Sequence, residues 1–375
     1  MQTLFNNPFH QLSLHRYPFN SNQKLQAWDA SDEYMLEHLA NKEILLSNSR
    51  VLIFNDTFGS LSLALQDYKP CVITDSYISK QGIIYNAKHN NIDLEKITIC
   101  DSLTELNTSY DLVLIKTPKT LDYLRYFLAK IRPYLHENSQ LIIAGMIKST
   151  PKTVWKILEE MLGETSTSLA KKKARLIFVK PEKNNTDTPF PIHFTQEKTN
   201  YKIYSHANVF SKKSMDIGTR FLLQNLPTLN HINTIVDLGC GNGVVGLNLA
   251  ALYPQAQVIF TDESYMAIAS ARLTVMSNLD SVEQHQFNID NCLDGIENHS
   301  VDLIVCNPPF HQSHSIGLHI ALQMFQQSFR ALKKGGHLIV IANRHLPYHA
   351  HLKRIFGKVE NLAANNKFSI FNMVK

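Results

Sequence analysis

Short β-branched runs separated by segments of helical length recur through the second half of the chain. "NTIVDLG" (233–239), "AQVIFTD" (256–262), "HQFNI" (285–289), "VDLIVCN" (301–307) and "GGHLIVIAN" (335–343) read as strands. Alternation of this kind predicts an α/β fold, a mostly parallel sheet with helices on both faces. After Asn343 one more helical stretch is expected, about His345 to Phe356, followed by two strand-like runs parted by the turn pair Asn365-Asn366. The sheet should therefore end in an antiparallel hairpin.

The first half repeats this plan with changed residues. "PCVITDSYISKQGIIYNAKHNNID" (70–93) lies on "AQVIFTDESYMAIASARLTVMSNLD" (256–280), sharing "TD" at a strand end; "YDLVLIKTPK" matches "VDLIVCNPPF", and "SQLIIAGMIKS" matches "GHLIVIANRHL". Correspondences kept in one order predict a duplicated fold. Between the copies, "VKPEKNNTDTPFP" (179–191) has loop composition and no apolar periodicity. The reading is a first domain over 1–180, a linker over 181–195 and a second domain over 196–375. Only the second copy carries "VDLGCGNGVVG" and "NPPF"; the first has "VLIFNDTFGSLS" and "KTPK" in their places. It has kept its sheet and lost its chemistry.

A length of 375 residues suits two domains at roughly 100–200 residues each. The formal charge of +5 permits a nucleic-acid partner without requiring one. Five scattered cysteines with no CxxC pair read as free thiols of a reducing compartment. The N-terminal stretch lacks the pattern of a signal peptide, and no apolar run approaches the ~18 residues of a membrane span, so a cytoplasmic protein is expected.

The candidate chemistry begins at "IVDLGCGNGVVGLNLA", which passes from a strand through Asp237, Gly239, Gly241 and Gly243 into a helix containing Gly246. Glycines admit positive φ and close backbone approach, and the helix start offers free N–H groups to a ligand. The spacing Gly-x-Gly-x-x-Gly also fits a dinucleotide. An acid before the turn opposes a pyrophosphate and favours a cationic amino-acid group. Asp262, ending the next strand 19 residues beyond Gly243, is placed to accept two ribose hydroxyls. S-adenosylmethionine fits this acid-flanked turn better than NAD. After the third strand, Asp290 and Asn291 offer polar contacts to an adenine amine, with Ile289 against the ring; a loop-capping role for them is the alternative.

"NPPF" ends the strand expected beside the glycine turn, where open α/β sheets bind their ligands. The Asn307 amide oxygen and the Pro308 carbonyl supply two acceptors for the two hydrogens of an exocyclic amine, turning its lone pair outward. Pro308 and Pro309 fix φ and remove competing donors. Phe310 offers a face on which a planar base can stack.

These residues resemble the class I S-adenosylmethionine-dependent methyltransferases that modify amino nitrogens. "NPPFHQSH", "HANVFSKKSMDIGTRFLL" (206–223), a degenerate N-terminal copy, "LQAWDASDEYML", "DSYIS", "KKARLI" and "IANRHL" are similar to the ribosomal RNA guanine-N2 methyltransferases with duplicated domains, and among them to the branch acting on guanine 1835 of 23S rRNA. The resemblance implies two tandem Rossmann-like domains and methyl transfer to the N2 amine of one guanosine in 23S rRNA. It further implies that Phe210, Ser211 and Asp216 border the cofactor. His311 and His314 lack a third metal ligand nearby and are read as pocket or phosphate-facing groups, with no metal. The basic cluster Lys171, Lys172 and Lys173 is a candidate for phosphate contact, a solvated helix end being the alternative. Lys116 and Lys119, in the former "NPPF" position, raise the expectation of a dead pocket turned toward RNA backbone. Rival readings are an amine methyltransferase acting on adenine or a protein glutamine, and a noncatalytic RNA chaperone. Oligomeric state is not legible.

Overall fold

The computed structural model describes residues 3–20, 24–309 and 314–375, with side chains described from residue 318 in the last stretch. It divides into two units, Met1–Pro189 and Phe190–Lys375. The division falls within the stretch of loop composition, but residues 192–195, left in the linker by composition, form a strand of the second unit. Among the described residues no helix is long and apolar enough to cross a membrane.

The first unit runs β1 (Leu4–Asn6), β2 (Gln11–Ser13), α1 (Ala30–Asn41), β3 (Val51–Phe54), β4 (Cys71–Thr74), α2 (Tyr77–His89), β5 (Thr98–Asp101), β6 (Tyr110–Lys116), α3 (Leu121–Ile131), β7 (Leu135–Met146), α4 (Thr153–Met161), β8 (Thr165–Thr167) and β9 (Ala174–Val179). The second runs β10 (Ile192–Thr195), β11 (Lys202–Ser205), α5 (Ile217–Gln224), β12 (Thr234–Leu238), α6 (Val244–Leu252), β13 (Gln257–Asp262), α7 (Tyr265–Met276), β14 (Gln286–Ile289), β15 (Val301–Cys306), α8 (His314–Ala331), β16 (Leu332–Asn343), α9 (Tyr348–Phe356), β17 (Glu360–Ala364) and β18 (Phe368–Val374).

Each unit holds a seven-stranded sheet of one topology, β5-β4-β3-β6-β7-β9-β8 in the first and β14-β13-β12-β15-β16-β18-β17 in the second. In sheet order the first five strands run parallel, the sixth runs antiparallel to them, and the seventh pairs antiparallel with the sixth. The fold class is thus the expected one, a duplicated α/β sheet ending in an antiparallel hairpin. Each unit also has a small antiparallel hairpin, β1-β2 or β10-β11, that periodicity did not announce.

Because side chains alternate across a sheet, consecutive residues of β12 and β15 enter opposite cores. Ile235, Leu303 and Val305 pack in one cluster with Val245, Leu247, Ala271 and Leu222 from α6, α7 and α5. Val236, Leu238, Ile304 and Cys306 pack in the other with Phe325 and Leu352 from α8 and α9. Chain order reverses between β12 and β15, and there Leu238 lies opposite Cys306. The next residues on each strand, Gly239 and Asn307, therefore leave the sheet side by side.

Candidate active site

The glycine turn is shaped by backbone geometry. Gly239, Gly241 and Gly243 have φ of +73°, +54° and +77°, values that cost an L-residue about 1–2 kcal/mol each. The N–H groups of Gly239 and Cys240 both donate to the Thr261 carbonyl, at 2.9 and 3.0 Å, drawing the turn over the end of β13. A Cβ at Gly243 would meet Ala271 Cα at 2.8 Å, and one at Gly246 would meet the Phe260 ring at 2.2 Å, so both glycines let α6 close on its neighbours. At Gly241 a Cβ would meet nothing within 4 Å. This glycine faces open space.

Two carboxylates hold the turn. Asp237 lies on the α6 side of β12, 3% exposed, and its Oδ2 accepts from Gly246 N at 2.7 Å. Burial pushes its carboxyl up to about 7, with the neighbouring Asp262 adding to the rise. Asp237 thus faces inward, fastening the start of α6. Asp262 is half-buried at the rim; its Oδ2 accepts from Gly241 N and its Oδ1 from Ser264 N, both at 3.0 Å. Burial raises its pKa against the pull of these backbone bonds. Each oxygen retains lone-pair capacity toward the open side.

Beside this turn, Asn307 Nδ2 donates to Thr219 Oγ1 at 3.1 Å, while Asn307 Oδ1 is buried without a hydrogen-bond partner among the described residues. An orphaned buried acceptor costs about 1–3 kcal/mol, so its persistence marks a site prepared for a donor. Pro308 is buried and Pro309 exposed. Phe310 and His311 lie outside the described residues, as does the side chain of His314.

The segment leading to α5 is laid along α7. Asn278 Oδ1, Thr274 Oγ1, Ser270 Oγ and Met266 Sδ accept from the N–H groups of Lys202, Tyr204, His206 and Asn208 at 2.9, 3.0, 2.9 and 3.4 Å. Four helical residues rise ~6.0 Å and two extended ones ~6.6 Å, so the two periods stay in step. The segment ends near the turn, where Asn242 Nδ2 donates to Ser205 Oγ at 3.3 Å. Phe210 follows, 57% exposed. Ser211 Oγ donates to the Ser214 carbonyl, and Asp216 is the N-cap of α5, its Oδ2 accepting from Thr219 N at 3.0 Å.

On the far side of the turn, Asp290 accepts from Asn291 N and Gly295 N, each at 2.7 Å, and Asn291 Nδ2 donates to Asp294 Oδ2 at 2.8 Å. Both side chains close their own loop. Among the described residues no group of three or more His, Cys, Asp or Glu is placed to hold a metal ion.

The first unit shows the same site filled in. Ile115 pairs with Phe54 as Cys306 pairs with Leu238, so Lys116 takes the place of Asn307. Its side chain is only 14% exposed, and its Nζ lies 3.0 Å from Asp29, 2.8 Å from Asp32 and 2.6 Å from Ser31 Oγ, all at the start of α1. Burial alone would lower its pKa, but the two carboxylates outweigh it and hold the ammonium above its usual range. The expectation that Lys116 faces RNA backbone is therefore corrected: a buried ammonium needs its carboxylates and turns to them. Lys119 is exposed.

The shared "TD" is also displaced by one place. Ile73 pairs with Phe54 as Thr261 pairs with Leu238, which sets Thr74, not Asp75, in the position of Asp262. Thr74 Oγ1 accepts from Ser76 N at 3.2 Å, the bond Asp262 makes to Ser264. Asn55 and Gly59 keep positive φ, +66° and +88°, where the second copy has Gly239 and Gly243. Phe58 is buried there beneath the Arg16 guanidinium.

In the basic cluster, Lys171 Nζ is paired with Glu37 and Lys172 Nζ with Glu33 at 2.7 Å. The cluster is a tight turn, with Lys171 bridged to Ala174 and positive φ at Lys172 and Lys173, which corrects the helix-end alternative. Sequence reasoning missed Thr219, which stands 88 residues from Asn307; no local spacing signals such a pair. "Asp-Ile-Gly-Thr" does carry the signature of a capped helix start.

The chain matches the model of the RLMG N-terminal domain over residues 2–183 and that of the methyltransferase small domain over 200–372. It is 44% identical to ribosomal RNA large subunit methyltransferase G of Aeromonas hydrophila, covering 100% of both chains, and 42% identical to the protein of the same name from Pseudoalteromonas translucida, covering 97% and 96%. Among solved structures it is similar in fold to the T. thermophilus 16S rRNA N2 G1207 methyltransferase RsmC in complex with AdoMet and guanosine. That match has a TM-score of 0.79 at 19% identity, over 100% of this chain and 97% of the other. With a seven-stranded sheet in each half, an open glycine turn in only one of them, and full-length relatives at this identity, the chain belongs to the ribosomal RNA large subunit methyltransferase G family.

Proposed function

We propose that the second unit transfers a methyl group from S-adenosylmethionine to the N2 exocyclic amine of a guanosine in 23S rRNA, guanine 1835 by its family, in the cytoplasm. The observation that carries this reading is Asn307 Oδ1, buried with no hydrogen-bond partner among the described residues at the strand end adjoining the glycine turn. The donor set fits the cofactor: Asp262 keeps acceptor capacity for a ribose diol, and the Gly239–Gly243 turn leaves room for a ligand against its backbone. Bound there, S-adenosylmethionine supplies an electrophilic methyl group.

The remaining work falls to acceptors. The N2 lone pair of guanine is shared with the ring, which makes the amine a poor nucleophile. Asn307 Oδ1 and the Pro308 carbonyl take its two hydrogens and favour a tetrahedral nitrogen. Proline at 308 and 309 keeps that carbonyl in place. Positioning and acceptor electrostatics account for the catalysis without a strong base.

The test is a transfer assay with methyl-labelled cofactor and 23S rRNA, followed by digestion to nucleosides. Label should appear in N2-methylguanosine, and Asn307→Ala should lower the rate by about a hundredfold or more with cofactor binding intact. Label in adenine or in a protein glutamine would sink the assignment. An Asn307→Ala variant with undiminished transfer would remove Asn307 from the catalytic role, and a parent chain that transfers label to none of these acceptors would favour the noncatalytic reading.

A further inference from the structure

We infer that Thr219 is a positioning residue for this transfer: its hydroxyl accepts from the Asn307 amide nitrogen and anchors the side chain with its oxygen toward the substrate amine. The inference rests on the reading above and deepens it. An asparagine amide has two ends of nearly equal size and opposite hydrogen-bonding character. With oxygen toward the substrate, Asn307 accepts an amine hydrogen; with nitrogen there, donor meets donor and the same residue obstructs the reaction. A threonine hydroxyl can accept from the nitrogen or donate to the oxygen, so it anchors the amide, and the substrate amine, acting as a donor, selects the orientation that leaves oxygen facing it.

Here the other end touches Thr219. Asn307 Nδ2 donates to Thr219 Oγ1 at 3.1 Å, and the opposite oxygen is left buried and, among the described residues, unpaired. Thr219 is itself 6% exposed and held through its backbone, since its N–H donates to Asp216 Oδ2 at 3.0 Å. The start of α5 is docked closely on the sheet: a Cβ on Gly218 would meet Asp216 Oδ2 at 2.9 Å and the Phe368 ring at 3.2 Å. A capped helix start, pressed against β18 through a glycine, thus sets how far the hydroxyl reaches. In the first unit Lys116 stands where Asn307 does and its ammonium goes to Asp29, Asp32 and Ser31, so that copy needs no such hydroxyl.

In the step this serves, the N2 lone pair forms the new N–C bond as the C–S bond breaks. Its electron pair leaves on sulfur, and the proton lost from N2 passes to solvent. Thr219 touches none of these atoms. Removing its hydroxyl takes away the anchor of the amide, so the rate of the bound complex should fall while binding of both substrates holds.

The test uses the full chain, with single-turnover methylation of 23S rRNA, cofactor dissociation by calorimetry and thermal melting. Thr219→Val, which keeps shape and removes the hydroxyl, should slow transfer about tenfold to a hundredfold with the cofactor Kd and the RNA concentration dependence unchanged. Thr219→Ser should restore the rate to within about threefold of the parent, since the hydroxyl is all that the bond requires. Thr219→Ala serves alongside should the valine disturb α5. Parent-like rates in Val and Ala would overturn the inference while leaving guanine methylation standing. So would equal slowing in Val, Ala and Ser with lowered melting temperatures, which describes packing alone. Absence of guanine methylation by the parent chain would instead overturn the reading on which the inference rests.

Discussion

Gly241, in the turn, and Gly246, in the first turn of α6, are glycine for different reasons. Space is open around the first, whose φ is +54°; the second sits inside α6 with the Phe260 ring where a methyl group would go. Gly241→Ala should therefore fold at a cost of about 1–2 kcal/mol and lose cofactor affinity by about tenfold or more, because its methyl group occupies the ligand's approach. Gly246→Ala should instead lower the melting temperature of the second unit, overpacking costing about 1–3 kcal/mol, with Phe260 displaced from its stack on Phe287. Calorimetric titration of both variants checks this, and equal loss of affinity in a fully stable Gly246→Ala would contradict it. The sequence made these glycines, Asp237, Asp262 and Asn307 legible because their types and spacing are local. It could not show that Asp237 points inward to Gly246, since which face of β12 a carboxylate joins follows from the packing of α6. Nor could it show Thr219, whose meaning depends on α5 docking beside β15.

Among the elements, the pairing of a helix with an extended segment is the less familiar device. Asn278, Thr274, Ser270 and Met266 stand one turn apart on or just beyond α7 and take alternate N–H groups of residues 202–208. The first unit repeats the two outer rungs: Asn90 accepts from Ser13 N at 2.7 Å and Asn86 from His15 N at 2.9 Å, both on or beside α2. At the third rung the first unit has Gly82, over which Phe58 and Tyr17 close, at 2.9 and 3.3 Å from an added Cβ. Asn278 binds the segment at both ends, its Nδ2 donating to the Lys202 carbonyl at 2.8 Å. Asn278→Ala should thus destabilise the second unit by about 1–3 kcal/mol and speed hydrogen exchange at 202–208; unchanged exchange there would refute the role. Periodicity found the seven strands of the second sheet and, by correspondence, β3, β4, β6 and β7 of the first, but not these hairpins, whose three- and four-residue strands held by side chains of a distant helix leave too short a pattern to read.

Across the whole molecule the duplication is visible in topology, in the helix-bound hairpins and in paired positive-φ residues, although the first copy shares little of the second's chemistry. Each unit has its own apolar core. S-adenosylmethionine at ~100 times its Kd should raise the melting of the second unit by about 2.7 kcal/mol, or roughly 5–10 °C, and leave the transition of the first in place. Scanning calorimetry with and without cofactor reads this directly, and a first-unit shift of the same size would mean that the filled copy still binds. The duplication and the eroded state of the first copy were legible from residues alone; where its substitute side chains turn was not, because a lysine pattern does not reveal a carboxylate 87 residues away. That lysine also resists replacement. Returning Lys116 to asparagine would strand Asp32, 5% exposed, beside Asp29 with no counter-charge, a change worth about 3–5 kcal/mol against the folded chain. Asparagine at 116 is therefore compatible with this fold only if the acids at the head of α1 change with it, so the stability of the first unit itself keeps a methyl-transfer residue out of that place.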